Sequence, residues 1–149
     1  MNMRRISLSV LILSFAASIF AANTSENAAS AIQIKHAVVA PSALQNKTAE
    51  VFMELTNKGK QAHTLIAVTT PVAKKAQLHM TINRDARVYM RQVAQINIRP
   101  HRETDLEYGG LHVMLIGVKR ALNNQEKIPM TLLFRDGSWI KIYAKVKQS

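Results

Sequence analysis

From about residue 30 onward, apolar and polar positions alternate with a period of two along most of the chain. A period of two returns every second side chain to the same face of an extended strand. Ile32 and Ile34 mark a strand over 31–39. Val51, Met53 and Leu55 mark another over 49–56. The same pattern predicts strands over 62–70, 76–82, 87–92, 95–98, 103–107, 111–116, 127–134 and 138–146. The breaks between them carry turn residues: 41–47 with its proline, Asn57-Lys58-Gly59-Lys60, Asn83 to Ala86, Tyr108-Gly109-Gly110 and Asp136-Gly137. No segment shows a competing helical period. About nine short strands with frequent turns make an all-β domain, a sandwich or barrel. Pro129 falls early in its strand and, having no N–H to donate, predicts an edge or a bulge there.

The first 30 residues break this pattern. Arg4 and Arg5 precede an apolar run over residues 6–20, and the small residues Ala21 and Ala22 follow. That order is the order of a secretory signal peptide. The run is shorter than the roughly 20 residues that span a bilayer. The expected division is a signal peptide over 1–22, cleaved after Ala21 or Ala22, a flexible mature N-terminus over 23–30, and one domain over 31–149. Export of this kind places the mature protein in the periplasm. About 127 residues then remain, enough for one hydrophobic core.

The chain has no cysteine, which excludes thiol catalysis, cysteine-ligated zinc and ordinary iron–sulfur sites. The formal charge is +11, of which Arg4 and Arg5 contribute two. Basic and aromatic residues are not interleaved in the sequence, so the charge reads as a solvated surface, or one that docks on an acidic partner or membrane face, rather than a nucleic-acid site. The few acids are scattered, and no nucleophile–base pair, paired carboxylate or phosphate loop points to an enzyme.

Two histidine–methionine pairs carry the candidate chemistry. If Asn83 to Ala86 form a four-residue turn, Ile82 faces Arg87 and His79 faces Met90 across the hairpin. Opposed side chains share a face, with Cβ atoms about 5 Å apart. In Leu111-His112-Val113-Met114-Leu115, alternation turns the three aliphatic residues to the core and points His112 and Met114 together to the other face. With His79 and His112 both off the core face, replacing either is expected to leave the fold intact. Two imidazoles and two thioethers form a neutral, soft ligand set, which favours copper(I) over zinc, magnesium or calcium. Met53 and Met130 sit among aliphatic residues and read as core. His36, His63 and His101 read as surface or capping residues. Met80 points away from His79 in a regular strand and reads as core or rim.

The spacing His79, ten residues, Met90, twenty-one residues, His112, one residue, Met114 resembles the signature of the periplasmic copper chaperones called PCuAC. The surroundings agree: Thr70-Pro71-Val72-Ala73 leading to Leu78-His79-Met80, Tyr108-Gly109-Gly110-Leu111-His112-Val113-Met114-Leu115, and Gly117-Val118-Lys119-Arg120. The resemblance covers residues 32–146. It implies a cupredoxin-like Greek-key β-sandwich that binds one copper(I) through His79, Met90, His112 and Met114. It also implies delivery of that copper to a copper-accepting protein, such as a subunit of cytochrome c oxidase during assembly or another assembly chaperone. Many members carry a glutamate after the first histidine, where this chain has Met80. Some carry a second, His- and Met-rich site in a C-terminal tail, which the ending Lys145-Val146-Lys147-Gln148-Ser149 does not supply. The expectation is therefore a monomeric carrier, not an enzyme, with no nucleic-acid partner and membrane contact only through its partner. The competing reading is a non-metal periplasmic β-sandwich that binds protein or polysaccharide. Copper content after expression separates the two.

Overall fold

The computed structural model describes residues 25–42 and 47–148. The expected signal peptide and residues 43–46 of the first loop lie outside the described residues. Ten strands are present among them: β1 (Ile32–Pro41), β2 (Thr48–Asn57), β3 (His63–Thr69), β4 (Ala73–Arg84), β5 (Arg87–Gln92), β6 (Ile96–Ile98), β7 (Glu103–Leu106), β8 (Leu111–Val118), β9 (Lys127–Phe134) and β10 (Trp139–Val146). The all-β expectation holds, with one helical turn, α1 (Ala28–Ala31), ahead of β1.

The strands hydrogen-bond in the order β5-β4-β8-β2-β1-β10-β9-β3-β6, with β7 also paired to β2. Taking β5, β4, β8, β2 and β7 as one half and β1, β10, β9, β3 and β6 as the other, the chain crosses between β1 and β2, β2 and β3, β3 and β4, β5 and β6, β6 and β7, and β8 and β9. Those crossings fold the sheet over a single core. Leu78, Val113 and Leu115 from one half meet Ile128, Met130, Leu132 and Ala144 from the other within it. Period-two burial is clearest in β2, where Ala49, Val51, Met53, Leu55 and Asn57 face inward. Met53 and Met130 are core, as the pattern predicts.

Three local expectations differ from the structure. The segment read as a flexible N-terminus is tied down from Glu26 onward. Asn27 caps α1 by accepting from the Ser30 amide, Ala28 and Ala31 are buried, and the Ala28 amide donates to Asp136 Oδ2 at 2.7 Å. Glu26 accepts from the Lys60 amide, its carboxylate lying where a Cβ on Gly59 would be, so a larger residue at 59 would displace that carboxylate. His63 is buried rather than superficial. It opens β3 at the same parity as Leu65, with Nδ1 3.5 Å from Asp136 Oδ2. Pro129 lies in β9, an interior strand, but β3 pairs with β9 only as far as Thr69 with Thr131, so the missing N–H breaks no ladder bond there.

Candidate metal centre

The outward face of β5-β4-β8-β2 carries the predicted residues. The β4–β8 ladder sets His79 directly opposite His112 and Gln77 opposite Met114. The β2–β8 ladder sets Glu50 opposite Met114. By alternation Gln77, His79 and Thr81 of β4, His112 and Met114 of β8, and Glu50 and Phe52 of β2 share this face. The rings of His79 and His112 lie 5.7 Å apart between centroids, and Phe52 stands 6.5 Å from His112 on its other side.

The hairpin register differs from the expectation. Arg84 pairs with Arg87, so the turn has two residues, Asp85 and Ala86, with φ of 52° and 58°. Two successive left-handed residues make the type I′ turn that matches strand twist. His79 therefore faces Gln92, and Met90 faces Thr81. The shift is by two positions on β5, so parity is kept and Met90 stays on the face of His79. It sits diagonally, about 7–8 Å away, within reach of a long side chain. Met90 lines a cleft with Met114, Phe52, Glu50 and Tyr108, and a smaller one of ≈ 130 Å³ with His112, Thr81, Glu50 and Tyr108. It thus shares one cleft with Met114 and another with His112.

Burial is graded across the set. His112 is 1% exposed and Met90 48% exposed, with His79 and Met114 between them. The expectation that His112 lies off the core face is met in direction. It is nonetheless covered, because Phe52 and His79 flank its ring.

Hydrogen bonds orient both imidazoles. His112 Nδ1 is 3.1 Å from the Gly110 carbonyl oxygen, and His79 Nε2 is 3.1 Å from Gln77 Oε1. Oxygen acceptors of this kind require the ring nitrogen to donate, so the lone pairs fall on His112 Nε2 and His79 Nδ1. Both of those nitrogens are buried without a partner, as is Thr81 Oγ1. Burial, and then the nearby His112, lower the His79 pKa from the ordinary histidine value. The Gly110 oxygen also accepts from the Thr81 amide, and Gly109 takes φ of 77° in the turn that places it. Gln77, Gly110, Phe52 and Glu50 are the members sequence reading missed. Alternation outward from His79 and His112 would have found Gln77 and Gly110; Phe52 and Glu50 needed the β2–β8 register.

Among the described residues no three His, Cys, Asp or Glu side chains converge. The face carries instead two imidazoles and two thioethers, a donor set whose chemistry suits a soft monovalent cation. A buried nitrogen with no partner costs about 1–3 kcal/mol, and a cation at that point would remove the cost.

Solved structures share this architecture. The copper(I) form of DR1885 from Deinococcus radiodurans is 31% identical, with 85% of each chain covered and a TM-score of 0.66. The copper-bound PCuAC domain of PmoF2 is 22% identical, over 83% of this chain and 97% of that one, with a TM-score of 0.69, a likeness of fold. The molecule is thus a PCuAC-type, cupredoxin-like β-sandwich. Residues 32–146 match the family described as "Putative lipoprotein LpqE-like", and the chain belongs to that family. "Putative lipoprotein Lxx21020" of Leifsonia xyli subsp. xyli is 31% identical over 97 residues, 64% of this chain. The match spans 58% of that relative's length.

Proposed function

We propose that this protein is an extracytoplasmic copper(I) carrier that binds one ion through His79, Met90, His112 and Met114 and hands it to a copper-accepting protein. The observation that carries this reading is the pair of facing imidazoles, each with its free lone pair buried and unpartnered, on a face shared with two thioethers. The 31% identity to a copper(I)-bound protein supports the choice of metal, and the lipoprotein relatives support a place outside the cytoplasm. The ligands are neutral, so the bound ion keeps its single positive charge. Met90, the exposed member on an edge strand, is the point where an incoming ligand can reach it. The acceptor implied by the PCuAC resemblance is the copper centre of cytochrome c oxidase during assembly, reached in the periplasm after removal of residues 1–22. The protein acts as a carrier rather than an enzyme.

Titration with copper(I) against a chromophoric chelator tests the site. One ion per chain is expected, silver(I) should compete, and zinc should bind weakly. A variant with both His79→Ala and His112→Ala that binds copper(I) as tightly as the parent would sink the assignment and leave the non-metal binding module. Intact mass of the protein from cells tests export, with a mature chain beginning near Asn23 as the expected result.

A further inference from the structure

On the far side of the core from the histidine–methionine face, the outward positions of β10 read Trp139, Lys141, Tyr143 and Lys145, all exposed. Their β9 partners are Leu133, Thr131, Pro129 and Lys127 in the same order. Ala67 and Thr69 of β3 extend the first two rows. Apolar rows thus alternate with polar or lysine rows about 7 Å apart, the distance of two strand residues. Trp139 is 56% exposed and Tyr143 69% exposed, and neither is covered by another element. Contrary to the expectation from the whole chain, aromatic and basic residues interleave here, Trp139, Lys141, Tyr143 and Lys145 alternating along one strand.

The charge on this face has one sign. No residue of β1, β10, β9, β3 or β6 is acidic, and these five strands are consecutive neighbours in the sheet. Lys127 and Lys145 sit directly opposite each other, an arrangement that is unfavourable without an anion nearby. Asp136, in the β9–β10 turn, already accepts from Ala28, from the Ser138 amide and from the Ser138 hydroxyl.

We infer that the outward face of β10, β9 and β3 is a docking surface for an anionic lipid membrane. Tryptophan and tyrosine suit the headgroup region, where an apolar ring meets water. Lysines beside them add attraction to anionic headgroups. The alternation of exposed aromatic rings with lysines favours lipid over an acidic protein, because a headgroup layer offers apolar and anionic contacts side by side, whereas an acidic protein surface answers only the lysines. Docked this way, the protein has a membrane contact of its own rather than one only through a partner. The histidine–methionine face then points away from the lipid, toward an acceptor.

Trp139 is the one tryptophan of the chain, so its fluorescence reports on this face alone, whatever residues 1–22 do. The whole protein is mixed with vesicles of phosphatidylcholine containing phosphatidylglycerol, and with vesicles of phosphatidylcholine alone. With the anionic vesicles, Trp139 emission should shift to the blue and lose accessibility to acrylamide, and high salt should reverse both. A variant carrying Lys127→Ala, Lys141→Ala and Lys145→Ala keeps the probe. Its partitioning should fall by roughly fivefold per lysine, on the order of a hundredfold in all. Unchanged Trp139 emission with anionic vesicles overturns the inference, even if the protein sediments with them, because the attachment then lies elsewhere. An equal shift with both lipids overturns the part played by the lysines. Protection of Trp139 by polyglutamate but not by vesicles assigns the face to an acidic protein instead.

Discussion

Exchanging methionine for leucine one position at a time separates ligands from core filler, because four methionines of the chain fall into two sharply different environments. Met53 and Met130 are 2% and 1% exposed and packed on aliphatic neighbours, whereas Met90 and Met114 line one outer cleft together and Met90 lines a second with His112. Met→Leu keeps apolar volume and costs less than about 1.5 kcal/mol in a core. At Met90, which is half exposed on the outermost strand, the stability cost should be within about 0.5 kcal/mol. Each exchange at Met90 or Met114 also removes a sulfur donor. Losing a residue that merely orients a ligand lowers metal affinity by about 10–100-fold. Losing the ligand itself should therefore weaken copper(I) at least tenfold, about 1.4 kcal/mol. The expected outcome is a crossing pattern. Met90→Leu and Met114→Leu lose affinity with little loss of stability, while Met53→Leu and Met130→Leu lose some stability and keep affinity. Affinity is read by competition with a chromophoric copper(I) chelator and stability by urea unfolding of the metal-free protein. If all four variants bind copper(I) alike, the thioethers of Met90 and Met114 are not ligands, and the site must be rebuilt around the two histidines.

Three further outcomes are expected. His112→Ala should destabilise the metal-free protein by about 2–3 kcal/mol in a urea melt, because it empties a buried position between Phe52 and His79, whereas the half-buried His79→Ala should cost less. Ala86→Gly should stabilise by about 0.5–1 kcal/mol, since it relieves alanine at φ of 58° in the type I′ turn; an unchanged or lower urea midpoint would argue against that turn. Acidification bears on His79, whose folded pKa lies below the unfolded value of about 6.5. Its contribution to stability is therefore fully present above that value and is lost as pH falls through the folded pKa, because the unfolded chain then binds the extra proton. Its lone pair stays free of protons to a lower pH than in an ordinary histidine, so copper(I) should be held through mild acid. Histidine chemical shifts followed against pH in His79→Gln and the parent check the assignment.

Alternation along single strands was enough to establish the all-β class, to put Met53 and Met130 in the core, and to place His79, His112 and Met114 outward. Parity is a local property: two residues of strand return a side chain to the same face whatever the strand pairs with. Sequence even tolerated an error in the β4–β5 hairpin, since a register shifted by two leaves Met90 on the correct face. What the chain pattern did not hold was the identity of neighbours. That His79 meets His112 follows from β4 lying beside β8, a pairing across some 30 residues of sequence fixed by the closure of the whole sheet. The depth of His112 and the burial of His63 likewise depend on Phe52 and Asp136, brought in by another strand and a turn, whereas the lone pairs left on His79 Nδ1 and His112 Nε2 are set by Gln77 and Gly110, each only two residues away in sequence. The lysine and aromatic face is by contrast mostly local, since Trp139, Lys141, Tyr143 and Lys145 alternate along β10 and β9 is its hairpin partner; only β3 joins it from a distant part of the chain. Local periodicity fixes which way a side chain points; only tertiary packing decides what it points at.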